Sequence, residues 1–280
     1  MKLRDYLIKY DCTLILTGTI IPEKIEMLQG ILQNNFHWFE NFKNIVLVLN
    51  TTNMSGQSAL NDYLETFEDV RHASQYAGNF YFLRDYINRG WQFGTIDMEK
   101  LAYQFVKDNI GDWTVLKLDF DIYLESQFLD FDMDDEIDFY YMPSVGASTV
   151  NEEGITKLLK DYDSQWPEYL RPQTIIYLAT KPLDPFYPIE DWLNDKYKEW
   201  IKNPIGNGPH HIGVACEPLL MGTIEKNDCK IKMMISKETY EKLLETIKIY
   251  QFHDPSHKNI LFEEIGVCHL ADDKAEIIKV

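Results

Sequence analysis

Residues 113–124 read Trp-Thr-Val-Leu-Lys-Leu-Asp-Phe-Asp-Ile-Tyr-Leu, an apolar run that ends in two carboxylates two positions apart. A short run of this kind predicts a strand covered on both faces, and such strands belong in the middle of an α/β sheet. Open α/β sheets bind ligands beyond the carboxyl ends of their strands, which is where Asp119 and Asp121 fall. If the strand continues through them, alternate residues point the same way and the two carboxylates converge. Paired hard oxygens suit Mg²⁺ or Mn²⁺, ions that keep positions open for phosphate oxygens. A strand leaving the core through a solvated acidic turn has the same pattern, so the preceding chain must decide between them.

That chain alternates. Residues 13–20 and 44–50 are β-branched and apolar and predict buried strands, and 79–83 predicts a third. Between them, residues 23–42 place Ile25, Leu28, Ile31, Leu32, Phe36 and Phe39 at helical spacing, and 58–67 and 95–108 predict further helices. Strands alternating with helices over short connections imply an α/β fold with a mostly parallel, Rossmann-like sheet and helices on both faces. The dinucleotide version is excluded: Thr17-Gly18-Thr19 holds one glycine, and there is neither a G-x-G-x-x-G nor a phosphate-loop pattern. Later, 139–143 and 175–178 predict strands, and 236–250 a helix capped by Ser236. Residues 181–209 carry Pro182, Pro185, Pro188, Pro204 and Pro209 with Trp192 and Trp200, the texture of an irregular insert or lid. The division expected is a ligand-binding half, 1–142, and a second half, 143–280, within one continuous unit.

Charge narrows the function classes. The formal net charge of −18 repels nucleic-acid backbones and anionic membrane surfaces, and no run of Lys or Arg offers a counter-patch. A phosphorylated substrate needs a divalent cation to bridge it to so acidic a chain. Asp130, Asp132, Asp134, Asp135, Glu136 and Asp138 crowd one segment, which reads as a solvated acidic loop without the spacing of a calcium loop. Four cysteines without a C-x-x-C pair fit reduced thiols rather than a zinc ribbon or disulfide framework. No apolar stretch is long enough to span a bilayer and the first residues carry no signal-peptide pattern, so a cytoplasmic location is expected.

The block Asn88-x-Gly90, a helix, then Asp119-x-Asp121 after a hydrophobic strand resembles the GT-A glycosyltransferases. Lys117-Leu-Asp-Phe-Asp-Ile-Tyr123 is similar to the K-x-D-D-D-x-Y form of several such families, with Phe120 in the middle place. The resemblance covers residues 13–124 in element order and is looser beyond. It implies a GT-A-like fold with an irregular acceptor subdomain, a nucleotide-sugar donor (a UDP-sugar above others), and Mn²⁺ or Mg²⁺ held by Asp119 and Asp121. It implies further that Thr17 and Thr19, Asn50, and Asn88 with Arg89 face the nucleotide, with Asp119 also able to meet the ribose. Asn50 stands where many relatives have Asp. Asp97 would accept a sugar hydroxyl, or else only favour its helix dipole. Glu263-Glu264 before Ile-Gly-Val-Cys-His269 is similar to the Glu-Asp-Val block whose acid deprotonates the acceptor in inverting enzymes, Glu264 taking the Asp place; the plain alternative is two solvent-facing acids. A late histidine completes the metal site in many relatives, and His269, His210, His211, His253 and His257 are candidates, His269 nearest the expected base.

Three other readings share these residues. One is the same chemistry on hydroxymethylated bases of viral DNA, in a host cytoplasm, against which the net charge counts. Another is a nucleotidyltransferase, which also uses paired carboxylates on an α/β sheet but is expected to carry a basic or Gly-rich triphosphate loop. The last is an inactive GT-A module that binds without turning over.

Overall fold

The computed structural model describes residues 1–51, 54–85, 91–111, 113–143, 172–184, 216–246 and 263–269, together with 186, 195, 198 and 202. The chain opens with α1 (Leu3–Lys9), β1 (Thr13–Ile20), α2 (Ile25–Phe39), β2 (Asn44–Thr51), α3 (Met54–Ala73), β3 (Asn79–Asp85) and α4 (Trp91–Phe105). It continues with β4 (Val115–Asp119), β5 (Ile122–Leu124), β6 (Phe139–Pro143) and β7 (Pro172–Ala179). The last elements are α5 (Cys216–Lys226), β8 (Ile231–Met233), α6 (Lys237–Thr246) and β9 (Val267–His269).

Seven strands form one sheet in the order β3-β2-β1-β4-β7-β6-β8, and β5 pairs with β9 in a separate antiparallel ribbon. Strands β1 to β4 are parallel, β7 runs against both β4 and β6, and β8 is parallel to β6. The fold is therefore the mostly parallel α/β sheet that the alternating pattern implies, with one strand reversed.

Side-chain alternation divides the core into two layers. Leu14, Leu16, Leu47, Leu49, Leu116 and Leu118 pack with α2 and α3 through Leu32, Phe36, Leu60 and Phe67. On the opposite face Ile15, Val46, Val48 and Val115 pack with α4 and α5 through Ile96, Ala102, Tyr103 and Leu220. Each fully buried aliphatic side chain contributes roughly 1.5–3 kcal/mol, so covering both faces is what makes the central strands apolar throughout.

Several boundaries differ from the sequence expectation. The expected strand at 79–83 extends to Asp85, the expected helix at 58–67 spans Met54–Ala73, and α1 was not expected at all. Helix α4 begins at Trp91 and passes into a π-helical turn, Val106–Ile110, which Gly111 ends at φ 72°. Ser236 caps α6 as expected, its Oγ accepting the Thr239 N–H at 3.0 Å. Most of the proline-rich segment 181–209 and both of its tryptophans lie outside the described residues.

Asp138, just before β6, ties the reversed part of the sheet together. Its Oδ2 accepts the Lys230 N–H at 2.9 Å and Lys181 Nζ at 3.1 Å. Burial pushes this carboxyl up, but those hydrogen bonds and the two lysine charges outweigh it and hold the pKa below its ordinary value. A depressed carboxyl stabilises the fold above the unfolded-state pKa, near 4, and loses that contribution as pH falls through the folded value. Asp138→Asn should therefore lower stability by about 1 kcal/mol at pH 7. The difference from wild type in urea unfolding should shrink once the pH is taken well below 4.

Candidate functional site at the carboxyl ends of the strands

From β1 the chain winds outward to β2 and β3 on one side, then returns to place β4 on the other. This reversal of direction makes the ends of β1 and β4 a topological switch point, the position where open α/β sheets hold ligands. Parallel register sets Thr17 opposite Asp119, and Thr17 Oγ1 donates to Asp119 Oδ1 at 3.2 Å across the switch.

The expectation that an extended strand runs through both carboxylates is not met. Strand β4 ends at Asp119, residues 120 and 121 turn, and β5 begins at Ile122. The turn has an apolar cause. The Phe120 N–H donates to Thr17 O at 3.0 Å, and its ring lies over Gly18, where an added Cβ would come within 2.0 Å of the ring carbon Cδ1. Phe120 also meets Tyr63 of α3 edge to face, with ring centroids 5.8 Å apart. Phe120 is thus the hinge pin between the two acids, buried with α2 and α3 while Asp119 belongs to the α4 side. Asp121 follows, partly exposed and close enough to Tyr63 that its charge, after burial, raises the phenol above its ordinary pKa. Beyond it, Asn35 of α2 holds β5 like a neighbouring strand, donating to Ile122 O at 2.5 Å and accepting the Leu124 N–H at 3.0 Å.

Behind Asp119 stands a buried charge. Alternation puts Lys117 on the α4 face of β4, where it and Glu99 of α4 are both fully buried. Lys117 Nζ donates to Asp119 Oδ1 and to Thr174 O of β7, and it pairs with Glu99 Oε1 at 3.3 Å. Tyr177, opposite Lys117 on β7, donates to Glu99 Oε2 at 3.1 Å. Burial alone would push the ammonium down; Asp119 and Glu99 outweigh it and raise its pKa.

A second polar row crosses the parallel strands. Thr19 pairs with Asn50 and Asn50 with Asp85, so the three lie side by side at the ends of β1, β2 and β3. Asn50 Nδ2 donates to Asp85 Oδ2 at 2.8 Å, and both residues are buried. A carboxylate is therefore present in this corner, one strand away from Asn50. Neither Asp85 nor the Lys117–Glu99 pair was expected as part of the site. A lysine inside an apolar strand was the available signal for the latter, since a buried ammonium requires acidic partners.

The other expected residues are placed less closely together. Asp97 lies partly buried on α4, two residues before Glu99 and therefore on a different side of the helix. His269 closes β9 opposite Ile122, which brings its backbone beside the residue following Asp121. Glu263 and Glu264 are exposed at the other end of that ribbon; Glu264 Oε1 accepts the Ser236 N–H at 3.1 Å, ahead of α6. Asn88, Arg89, His210, His211, His253 and His257 lie outside the described residues.

Among the described residues no group of three or more His, Cys, Asp or Glu side chains is arranged to hold a metal by itself. Asp119 stands at the switch, and Asp121 follows two residues on, near Tyr63; carboxylate oxygens of this kind suit a hard divalent ion completed by water and phosphate oxygens, not a closed protein cage. Among the same residues no helix is long and apolar enough to cross a membrane.

No family model and no curated protein matches the sequence. Solved structures with a similar fold include a mannosyltransferase from S. cerevisiae, 10% identical with a TM-score of 0.44, covering 83% of this chain and 71% of that one. A glycosyltransferase involved in glycosylation of the major capsid of PBCV-1 is 8% identical with a TM-score of 0.37, covering 93% and 94%. The inositol-1-phosphate CTP transferase of T. maritima is 9% identical with a TM-score of 0.40, covering 82% and 93%. At such scores these likenesses carry no weight for the activity of this chain.

The contact between Phe120 and Gly18 makes a direct test of how the acids are held. Gly18→Ala must displace the ring, and overpacking of this kind costs roughly 1–3 kcal/mol. Denaturant unfolding should register that loss, and Phe120→Leu in the Gly18→Ala background should recover part of it.

Proposed function

We propose that this protein is a metal-dependent glycosyltransferase that moves a sugar from a nucleoside-diphosphate donor to an acceptor hydroxyl. The reading is supported by Asp119 at the topological switch beside Thr17, next to the row Thr19, Asn50 and Asp85, with Asp121 two residues further along the chain. An acid at the end of β4 beside hydroxyl, amide and carboxyl groups at the ends of β1, β2 and β3 suits a ligand that is diphosphate at one end and nucleoside at the other. On this reading residues 1–142 hold the donor and residues 143–280 the acceptor.

Asp119 and Asp121 would hold Mn²⁺ or Mg²⁺, with His269 as a further ligand. Such an ion would supply neutralising charge for a diphosphate leaving group. Thr19, Asn50 and Asp85 take the base and ribose, and Thr17 steadies Asp119. Asn88 and Arg89 belong to the same assignment as residues that close over the diphosphate, and Asp97 as a partner of a sugar hydroxyl. The donor is assigned as a UDP-sugar. The setting assigned is cytoplasmic, and the acceptor is a saccharide or a modified nucleic-acid base.

A specific feature favours sugar transfer over nucleotidyl transfer. After β1 the chain enters a helical turn at Pro22–Lys24, where Pro22 lacks an N–H and the charges of Glu23 and Lys24 offset one another. That is a poor cradle for a triphosphate, which needs backbone N–H groups and positive charge.

Thermal unfolding with Mn²⁺ and a panel of nucleoside diphosphates tests the donor, because a ligand that binds only the folded state raises the transition temperature. UDP with Mn²⁺ should give the largest shift, and EDTA should remove it. Asp121→Asn should abolish donor turnover while leaving the unfolding transition in place; near-normal turnover in that variant would end the metal reading.

The base for the acceptor hydroxyl is assigned to Glu264, with Glu263 beside it, in an inverting displacement. A carboxylate within reach of the hydroxyl accepts its proton as the new bond forms. Glu264→Gln should lower kcat about a hundredfold or more with little change in donor affinity, the signature of an interaction made in the transition state. Product stereochemistry by NMR tests the premise. A retained configuration would leave Glu264 with its contact to Ser236 alone.

A further inference from the structure

We propose that Lys117, balanced by Glu99, is a positioning residue that fixes the rotation of Asp119 and so the orientation in which this acid meets a metal or donor. The inference rests on the donor-and-metal reading above and deepens it.

The geometry is that of a clamp. Asp119 Oδ1 receives Lys117 Nζ from below and Thr17 Oγ1 from β1, so one carboxylate oxygen takes donors from two strands. Lys117 is itself held by Thr174 O of β7 and by Glu99 of α4, so the ammonium cannot swing away from Asp119. Tyr177 in turn holds the second oxygen of Glu99. Four elements of the fold thereby converge on one oxygen of one acid.

The charges of the clamp explain why both members are present. Lys117 alone would cancel Asp119 and weaken its hold on a cation. With Glu99 the buried pair is neutral, and Asp119 keeps its charge for a cation. Neither charge is needed for packing. Buried ion pairs replaced together by apolar or neutral groups of similar shape leave a fold about as stable, or more so. Retaining a costly ammonium and carboxylate in the core therefore points to Asp119 as their purpose.

The test is Mn²⁺ binding by the protein without donor, read from the free-ion electron paramagnetic resonance signal. The Lys117→Met/Glu99→Gln double variant removes the clamp without changing net charge. Its Mn²⁺ affinity should fall roughly tenfold, as for loss of an outer-shell partner. In an Asp119→Asn background the same two substitutions should change affinity by less than about twofold, because the clamp then has no carboxylate to hold. Equal losses in both backgrounds would give the pair a general structural role and overturn the proposal, as would an unchanged affinity in the double variant. Should that variant fail to fold, Thr17→Val removes the other donor to the same oxygen. It should weaken Mn²⁺ roughly threefold, and only when Asp119 is present; no effect overturns the clamp. A wild-type chain that takes up Mn²⁺ while the variants match it sinks the clamp alone. A wild-type chain that takes up none sinks the metal reading and the clamp with it.

Discussion

Strand β1 is hydrogen-bonded on both sides to parallel neighbours, and its register places the whole candidate site. Pairing of Thr13 with Asn44 on one side and Val115 on the other carries forward to Thr19 beside Asn50 and Thr17 beside Asp119. A slip of one residue on either side would send the leucines of the α2–α3 layer to the α4 face and turn the polar ends inward. The register is therefore enforced by the hydrophobic layers, and the site inherits its precision from them. Gly18 belongs to the same constraint, since only a residue without a side chain leaves room for the Phe120 ring at that level.

The electrostatics follow the same geometry. A chain of formal charge −18 keeps Lys117 wholly inside its sheet, on the strand that ends in Asp119. Surface ion pairs such as Lys43–Asp11 or Lys237–Glu241 are exposed and contribute little. The interior set is different in kind: Lys117, Glu99 and Tyr177 are shielded from solvent, so each depends on the others being correctly placed. The two regimes explain how so acidic a molecule remains compact. Acids such as Asp130, Asp132, Asp134, Asp135 and Glu136 are exposed, while the buried Lys117 and Glu99 compensate one another.

Much of this was legible in the sequence, for identifiable reasons. The strands at 13–20, 44–50 and 115–119 are apolar because both their faces are covered, and hydropathy reports that directly. Asp119 and Asp121 were visible because carboxylates stand out against such a run. Asp85 was not, because β3 is only partly buried and its last two residues, Arg84 and Asp85, are polar where pairing with β2 continues. The turn at 120–121 was hidden because Phe120 reads as one more strand residue; only its seat over Gly18 distinguishes it. The reversal of β7 is a matter of long-range pairing, and a period-two pattern is the same in either direction. Glu99 sits in a helix where a glutamate is the commonest solvent-facing choice, so nothing local marks it as buried.

The bond from Lys117 to the carbonyl of Thr174 has a consequence for how such a chain can change over time. Residue 174 belongs to the second half of the sequence, and its carbonyl helps to complete an ammonium in the first. Cutting the chain near residue 142 would strip that ammonium of one acceptor and Glu99 of its phenol, leaving charge in an unfinished core. The halves are accordingly not modules that recombination can shuffle between proteins. The seam of β4, β7 and α4 thus binds distant stretches of sequence into one unit whose parts must change together.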